Sequence, residues 1–236
     1  ETMMRRRQWL RVASAAVCGA GTPLQGLLAQ GSAPPVRSSD DSLIPPATPR
    51  EFRAAWVATV ANIDWPSRAG LSAQAQRAEA VAILDRAKEI GLNALIFQVR
   101  PSADALYLST LEPWSEYLTG AQGRAPEPLY DPLEFWVEQA HQRGLELHAW
   151  FNPYRARHDG ARSPAAPNHI TRTNPAAVKR YGKFMWMDPG EEAASKQTLD
   201  VVLDVVRRYD IDGVHIDDYF YPYPIEATPE IGRAHV

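Results

Sequence analysis

Cysteine is almost missing from this 236-residue chain: Cys18 is the only one. It lies in the amino-terminal leader, so the rest of the chain can form no internal disulfide and no thiolate metal site. Lipid modification of Cys18 is a minor alternative, because Ala15-Ala16-Val17 lacks the leucine of a lipobox. Long apolar runs are scarce as well. Thr22, Pro23 and Gln25 interrupt the one in the leader, which argues against a spanning helix of ~20 apolar residues. Positive charge is in short supply too. The formal net charge is -3, and without residues 1–30, which hold Arg5, Arg6, Arg7 and Arg11 against Glu1, 21 basic side chains face 27 acidic ones. An acidic body argues against electrostatic capture of nucleic acid or of an anionic membrane surface. It leaves a neutral or partly cationic polysaccharide open.

What is present divides the chain by composition. Met4 to Ala29 reads as an export signal, and Arg6-Arg7-Gln8-Trp9-Leu10-Arg11 has the order of a twin-arginine signal, with an ordinary secretory signal as the runner-up. Residues 1–30 are therefore expected to be removed on export to the periplasm or cell envelope, leaving no membrane span. Residues 31–49, rich in Pro and Ser, read as a flexible tether. With 45% hydrophobic residues, the remainder suits one globular domain with a large core.

From Arg50 strands and helices alternate. Ala54–Val60, Asn93–Val99, Leu145–Phe151 and Gly213–Asp217 are predicted strands. Ser72 is placed to cap a helix with Ala80, Val81, Leu84, Ala87 and Ile90 inward, stopped by Gly91. Asp131-Pro132 opens another helix, closed by Gly144. Glu192–Tyr209 is the third, with Leu199, Val202, Val205 and Val206 inward. Such strand-helix units imply a parallel α/β sheet, either open and doubly wound or closed into a barrel. The glycine-rich first turn of a dinucleotide fold is missing, since Ala61-Asn62-Ile63-Asp64-Trp65-Pro66 stands there. Polar and aromatic groups follow each strand at its carboxyl end: Asn62, Asp64 and Trp65; Gln98 and Arg100; Trp150, Asn152, Tyr154 and Arg155; Asp217 and Asp218. Barrel enzymes build their sites on that face, so a TIM-type (β/α)8 barrel is expected, represented by about its first four units.

The segment Asp212–Pro224, DGVHIDDYFYPYP, carries the sharpest chemical signal. An aspartate at a strand end can attack or stabilise an anomeric carbon, and flat amphipathic rings can stack on a pyranose. Asp217 and Asp218 are the candidate catalytic residues. His215 shares Asp217's strand face, while Tyr219 and Tyr221 belong to the aromatic run and are candidate substrate contacts. Asp64, Trp65, Gln98, Arg100, Trp150, Asn152 and Tyr154 complete the candidate sugar-binding set. For each a plainer reading stands beside the functional one: loop conformation for Asp64 and Trp65, a loop cap for Asp218, a barrel-layer filler for His215, turn chemistry for Asn152. Arg100 is placed either to hold Asp217 ionised, to grip a substrate carboxylate, or to form a structural ion pair.

Five stretches in this order resemble the glycosyl-hydrolase-like family ten: Phe52–Pro66, Asn93–Pro101, Leu145–Arg155, Met187–Gly190 and Tyr209–Pro224. The family consists of bacterial proteins that include an envelope glycosidase cutting peptidoglycan strands stripped of their peptides. The resemblance implies a TIM-type barrel, retaining-type sugar chemistry, a glycan substrate, and a nucleophile that maps onto Asp217. No cofactor is expected. Two other functions compete: a metal-dependent barrel hydrolase using His148, His215, Asp217 and Asp218, and a non-catalytic glycan-binding protein. Against the metal site, the first strand lacks a His-x-His pair and no two histidines stand at helical i, i+4 spacing. Relative to a full barrel the chain is short, so residues 50–230 are expected to form an amino-terminal half that is inactive alone. Ile231–Val236 reads as a sequencing-adapter translation. The sequence carries no signal for oligomeric state.

Overall fold

The computed structural model describes residues 51–217. The expectations for the leader, the tether, Asp218, Tyr219, Tyr221 and the 231–236 tail lie outside the described residues.

Among the described residues four parallel strands form the main sheet: β1 (Ala54–Val57), β2 (Ala94–Arg100), β3 (Glu146–Phe151) and β7 (Gly213–Ile216), in the order β1-β2-β3-β7. Three crossover helices connect them. The first, α1 (Ala73–Glu89), is capped by Ser72, whose hydroxyl accepts from the Ala75 N–H, and it stops at Gly91 with φ +81°. Between β2 and β3 lie a single turn, α2 (Glu116–Thr119), and then α3 (Pro132–Gln142). Asp131 caps α3 by accepting from the Glu134 N–H, with Pro132 pre-set in the first turn. The helix α5 (Glu192–Arg208) leads into β7.

The excursion between β3 and α5 holds structure the sequence reading did not anticipate. Strand β4 (Arg155–Arg157), the short helix α4 (Ile170–Thr173), β5 (Val178–Tyr181) and β6 (Phe184–Met187) occur there, and the strands make an antiparallel sheet in the order β4-β6-β5. Arg155-Ala156-Arg157 is too short for its alternation to count as a signal, and neither Val178-Lys179-Arg180-Tyr181 nor Phe184-Met185-Trp186-Met187 alternates apolar with polar.

The core lies between the main sheet and its helices. Phe97 of β2 stacks on Trp136 of α3 at 4.6 Å between centroids, and Trp65 meets both rings edge-on at 5.5 Å. Leu84 from α1, Leu133 and Ala140 from α3, and Val201 and Val205 from α5 close around Leu147 and Ala149. All of β2 is buried, as befits a central strand covered on both faces.

Three sequence expectations are corrected. The first strand ends at Val57, not Val60, because Gln98 Oε1 accepts from the Thr59 and Val60 N–H groups, drawing them off any ladder. Ala61 and Asn62 then turn through positive φ, 53° and 57°. In α5 the buried residues are Ala194, Thr198, Val201 and the expected Val205, with the expected Val202 packed half-buried against the core, while Leu199 is 57% exposed. In α1, Ile90 is the carboxyl-terminal cap and points outward. No helix among the described residues is long and apolar enough to cross a membrane.

Trp65, expected as a wall of the sugar site, is instead fully buried, and its indole N–H donates to the Gln76 carbonyl. Replacing it by Ala is expected to cost ~3–5 kcal/mol of stability. A urea titration that found the unfolding midpoint unmoved would return Trp65 to the site.

Candidate functional site

Strand register decides which side chains meet. Trp56, Ile96, His148 and Gly213 lie in one row across the sheet, and Gln98, Trp150 and His215 in the next. Alternation along each strand puts these rows on the face opposite Phe97, Leu147 and Ala149. Gly213 is required here, since a Cβ would stand 2.5 Å from His148 Nδ1. On this face the Trp56 indole N–H donates to His215 Nε2 at 3.2 Å, and Trp150 meets the His215 ring edge-on at 6.0 Å. An Nε2 that accepts leaves the proton of a neutral His215 on Nδ1.

Asp217 follows β7 directly, and Asn152 follows β3. The Asn152 amide donates from Nδ2 to both Asp217 oxygens, at 3.2 and 3.4 Å. Its orientation is fixed because Oδ1 is occupied, accepting from the Arg155 N–H at 2.7 Å and the Tyr154 N–H at 3.3 Å. Turning the amide over would set NH2 against two N–H groups and oxygen against a carboxylate. Partial burial pushes the Asp217 pKa above its ordinary value, opposed first by the positive charge of Arg155, then by Asn152 and Trp150.

Arg100 does not reach Asp217. It is fully buried and forms a two-pronged ion pair with Glu112, Nε to Oε2 at 2.7 Å and Nη2 to Oε1 at 2.5 Å. Its Nη1 donates to the carbonyls of Asn152 and Pro153 at 2.8 and 3.0 Å. The structural ion pair is therefore the correct reading of Arg100, and the cation that acts on Asp217 is Arg155. A register shift falls between Gln98 and Arg100, which sets Arg100 opposite Phe151. Gln98 is also fully buried and holds the turn after β1. Asp64 is exposed and accepts from the Ala58 N–H at 2.7 Å, which makes it a loop-shaping group.

The structure thus brings together Asp217, Asn152, Trp150, His215 and Trp56, with Tyr154 half-buried next to the Asn152 turn. Trp65 and Asp64 are engaged elsewhere; Gln98 shares the row of Trp150 and His215 but is buried and turned to the Thr59 backbone, and Arg100 reaches the group only through the Asn152 carbonyl. Sequence reasoning underused Arg155 and missed Glu112. Arg155 could have been found from the Asn-Pro-Tyr-Arg turn, whose first side chain captures the fourth N–H. Glu112 stands in a loop with no periodic signal. Among the described residues no three His, Cys, Asp or Glu side chains converge to hold a metal, and His148 turns instead to Glu146 at 3.1 Å.

The model of the family described as Glycosyl hydrolase-like 10 matches residues 51–232. The chain belongs to this family. Curated relatives include Glycosyl hydrolase YngK of Bacillus subtilis, 48% identical over 177 residues, and Glycosyl hydrolase DigH of Escherichia coli K12, 36% identical over 199. Each alignment covers 75% of this chain, but only 34% of the YngK sequence and 44% of the DigH sequence. Solved structures with some likeness include a Paenibacillus thiaminolyticus alpha-L-fucosidase, with TM-score 0.46 and 12% identity over 71% of this chain and 23% of that one. Another is a maltogenic alpha-amylase, AmyB, from Thermotoga neapolitana, with TM-score 0.43 and 13% identity over 70% and 38%. A glycosyl hydrolase-like domain with a parallel α/β sheet is what the family and the fold support.

A second acid lies close in sequence to the end of β2. Asp104 is buried and accepts from the Ser102 N–H and the Gln122 amide, both at 3.1 Å. Burial pushes its pKa up to about 7, against the pull of those bonds. A carboxyl whose pKa rises on folding stabilises the fold below its unfolded pKa, and that contribution is lost as pH climbs to about 7. Asp104→Asn is therefore expected to flatten the decline of stability between about pH 4 and 7 relative to wild type. Urea midpoints at both ends of that range measure it, and parallel slopes in the two proteins would contradict the assignment.

Proposed function

We propose that these residues form the nucleophile-bearing part of a glycoside hydrolase acting on a bacterial envelope glycan, peptidoglycan strands stripped of their peptides being the substrate. The observation that carries the reading is the fixed carboxylate of Asp217. It sits at a strand's carboxyl end, oriented by the Asn152 amide, on the same side of the sheet as Trp150, His215 and Trp56. In the proposed reaction an Asp217 oxygen attacks the anomeric carbon as the glycosidic bond breaks. A separate carboxylic acid protonates the leaving oxygen, and water then hydrolyses the glycosyl ester. That partner stands ~5–5.5 Å from the nucleophile in retaining enzymes, and we assign it to a later strand of the whole protein. Burial raises the Asp217 pKa, and the positive charge of Arg155 offsets part of that rise in favour of the carboxylate. Trp150 offers an apolar face for a sugar ring.

The same reading includes the barrel. Among the described residues β1 and β7 are the edges of the sheet, Trp56 of β1 is 63% exposed, and Val214 and Ile216 of β7 are exposed on the other face. Open parallel edges with exposed apolar faces call for further strand-helix units, and in a (β/α)8 barrel these four would be the first half. Residues 1–30 would direct export to the cell envelope.

Asp217→Asn in the whole enzyme is expected to lower turnover of stripped glycan strands by ~10³-fold or more, with binding of the strands kept. Turnover within tenfold of wild type would remove Asp217 from the nucleophile role. Stoichiometric zinc or manganese whose removal abolishes turnover would favour the metal-dependent alternative.

A further inference from the structure

We propose that Glu112, which touches no part of the candidate site, is a positioning residue for Asp217, acting through Arg100 and Asn152. The path is continuous. Both oxygens of Glu112 hold the Arg100 guanidinium, and Gln197 Nε2 from α5 donates to Glu112 Oε1 at 2.7 Å, bracing the carboxylate from a second element. With its other edge Arg100 grips two successive carbonyls, Asn152 and Pro153. The Asn152 N–H returns to the Arg100 carbonyl at 2.9 Å, and the Thr198 hydroxyl donates to the Pro153 carbonyl at 2.7 Å. The backbone of the turn is thereby pinned from both sides. Its side-chain oxygen is committed to Tyr154 and Arg155, so the amide NH2 has one remaining direction, toward Asp217.

Stability alone does not account for this arrangement. A buried ion pair gives back much of its attraction as desolvation, and well-packed apolar residues of similar volume often serve a core as well. What an apolar pair cannot do is aim two N–H groups at neighbouring carbonyls. That function needs a guanidinium, and a guanidinium held square needs a carboxylate on its opposite edge. The consequence for catalysis rests on Asp217 being the reactive carboxylate; the geometric coupling does not.

The sign of one titration separates positioning from simple electrostatics. Removing the negative charge of Glu112 through space would make Asp217 easier to ionise and lower its pKa. Loosening the Asn152 donor would raise it, because that bond favours the carboxylate. The test follows the carboxyl carbon of Asp217 by NMR in the intact protein, with 13C-aspartate and the Asp217→Asn variant for assignment. Glu112→Gln is expected to shift the Asp217 pKa upward by at least half the shift produced by Asn152→Ala, and to add nothing in the double variant. An unchanged or lowered pKa in folded Glu112→Gln, or a full additional shift on Asn152→Ala, would overturn the proposal. Should Glu112→Gln not fold, Gln197→Ala takes its place. Gln197→Ala keeps both charges of the ion pair and removes the brace on Glu112 Oε1; it is expected to move the titration upward, and no movement would count equally against the proposal. No glycan enters this measurement, so its failure is distinct from the failure of Asp217 as nucleophile.

Discussion

A guanidinium buried away from water must have all of its N–H groups met, and the carboxyl end of the main sheet is arranged around that requirement. Arg100 presents five N–H bonds. Glu112 takes one from Nε and one from Nη2, the Asn152 and Pro153 carbonyls take both from Nη1, and the Met187 sulfur stands 3.6 Å from Nη2. Burial alone would pull the guanidinium toward neutrality, and the charge and bonds of Glu112 outweigh it. The partners come from the loop after β2, the end of β3 and the end of β6, with α5 joined through Gln197 and Thr198. One charged group thus sets where four segments of the chain meet.

The same neighbourhood balances opposing influences on Asp217. Partial burial favours the neutral acid, while Arg155 and the Asn152 amide favour the carboxylate. Such a balance suits the nucleophile role proposed for Asp217, which requires a carboxylate that is ionised and yet stripped of some water. His215 contributes rigidity. Held by the Trp56 N–H on one nitrogen and facing Trp150, it fixes the floor of the face on which Asp217 stands.

Much of this was legible in the sequence, and the reasons differ by element. Ser72, Asp131-Pro132, Gly91 and Gly144 are local signals, and local signals survive folding, so the helices came out where their caps placed them. Asp217 beside Asn152 followed from strand-end chemistry in a parallel sheet. The antiparallel sheet of β4, β5 and β6 was not legible, because its strands are three or four residues long and only the shortest, Arg155–Arg157, alternates. The α5 face was misread because Ala194 and Thr198, small and weakly apolar, take the inward positions while Leu199 faces out. Among the readings open for Arg100 the ion pair is the one found, and its partner Glu112, like the action of Arg155 on Asp217, depends on tertiary contacts that no single sequence reveals. Trp65 was misassigned by its position in a strand-end loop, where its fully buried ring in fact plugs the core beside Phe97 and Trp136.

The account turns on Asp217 forming the bond to sugar. The most direct measurement is to trap the glycosyl-enzyme of the whole protein with a 2-fluoro glycoside of a substrate sugar and to locate the adduct by mass spectrometry. The account predicts the sugar on the peptide containing Asp217, attached to that carboxylate. An adduct on any other carboxylate would contradict it, as would steady hydrolysis of the reagent with inverted stereochemistry and no adduct.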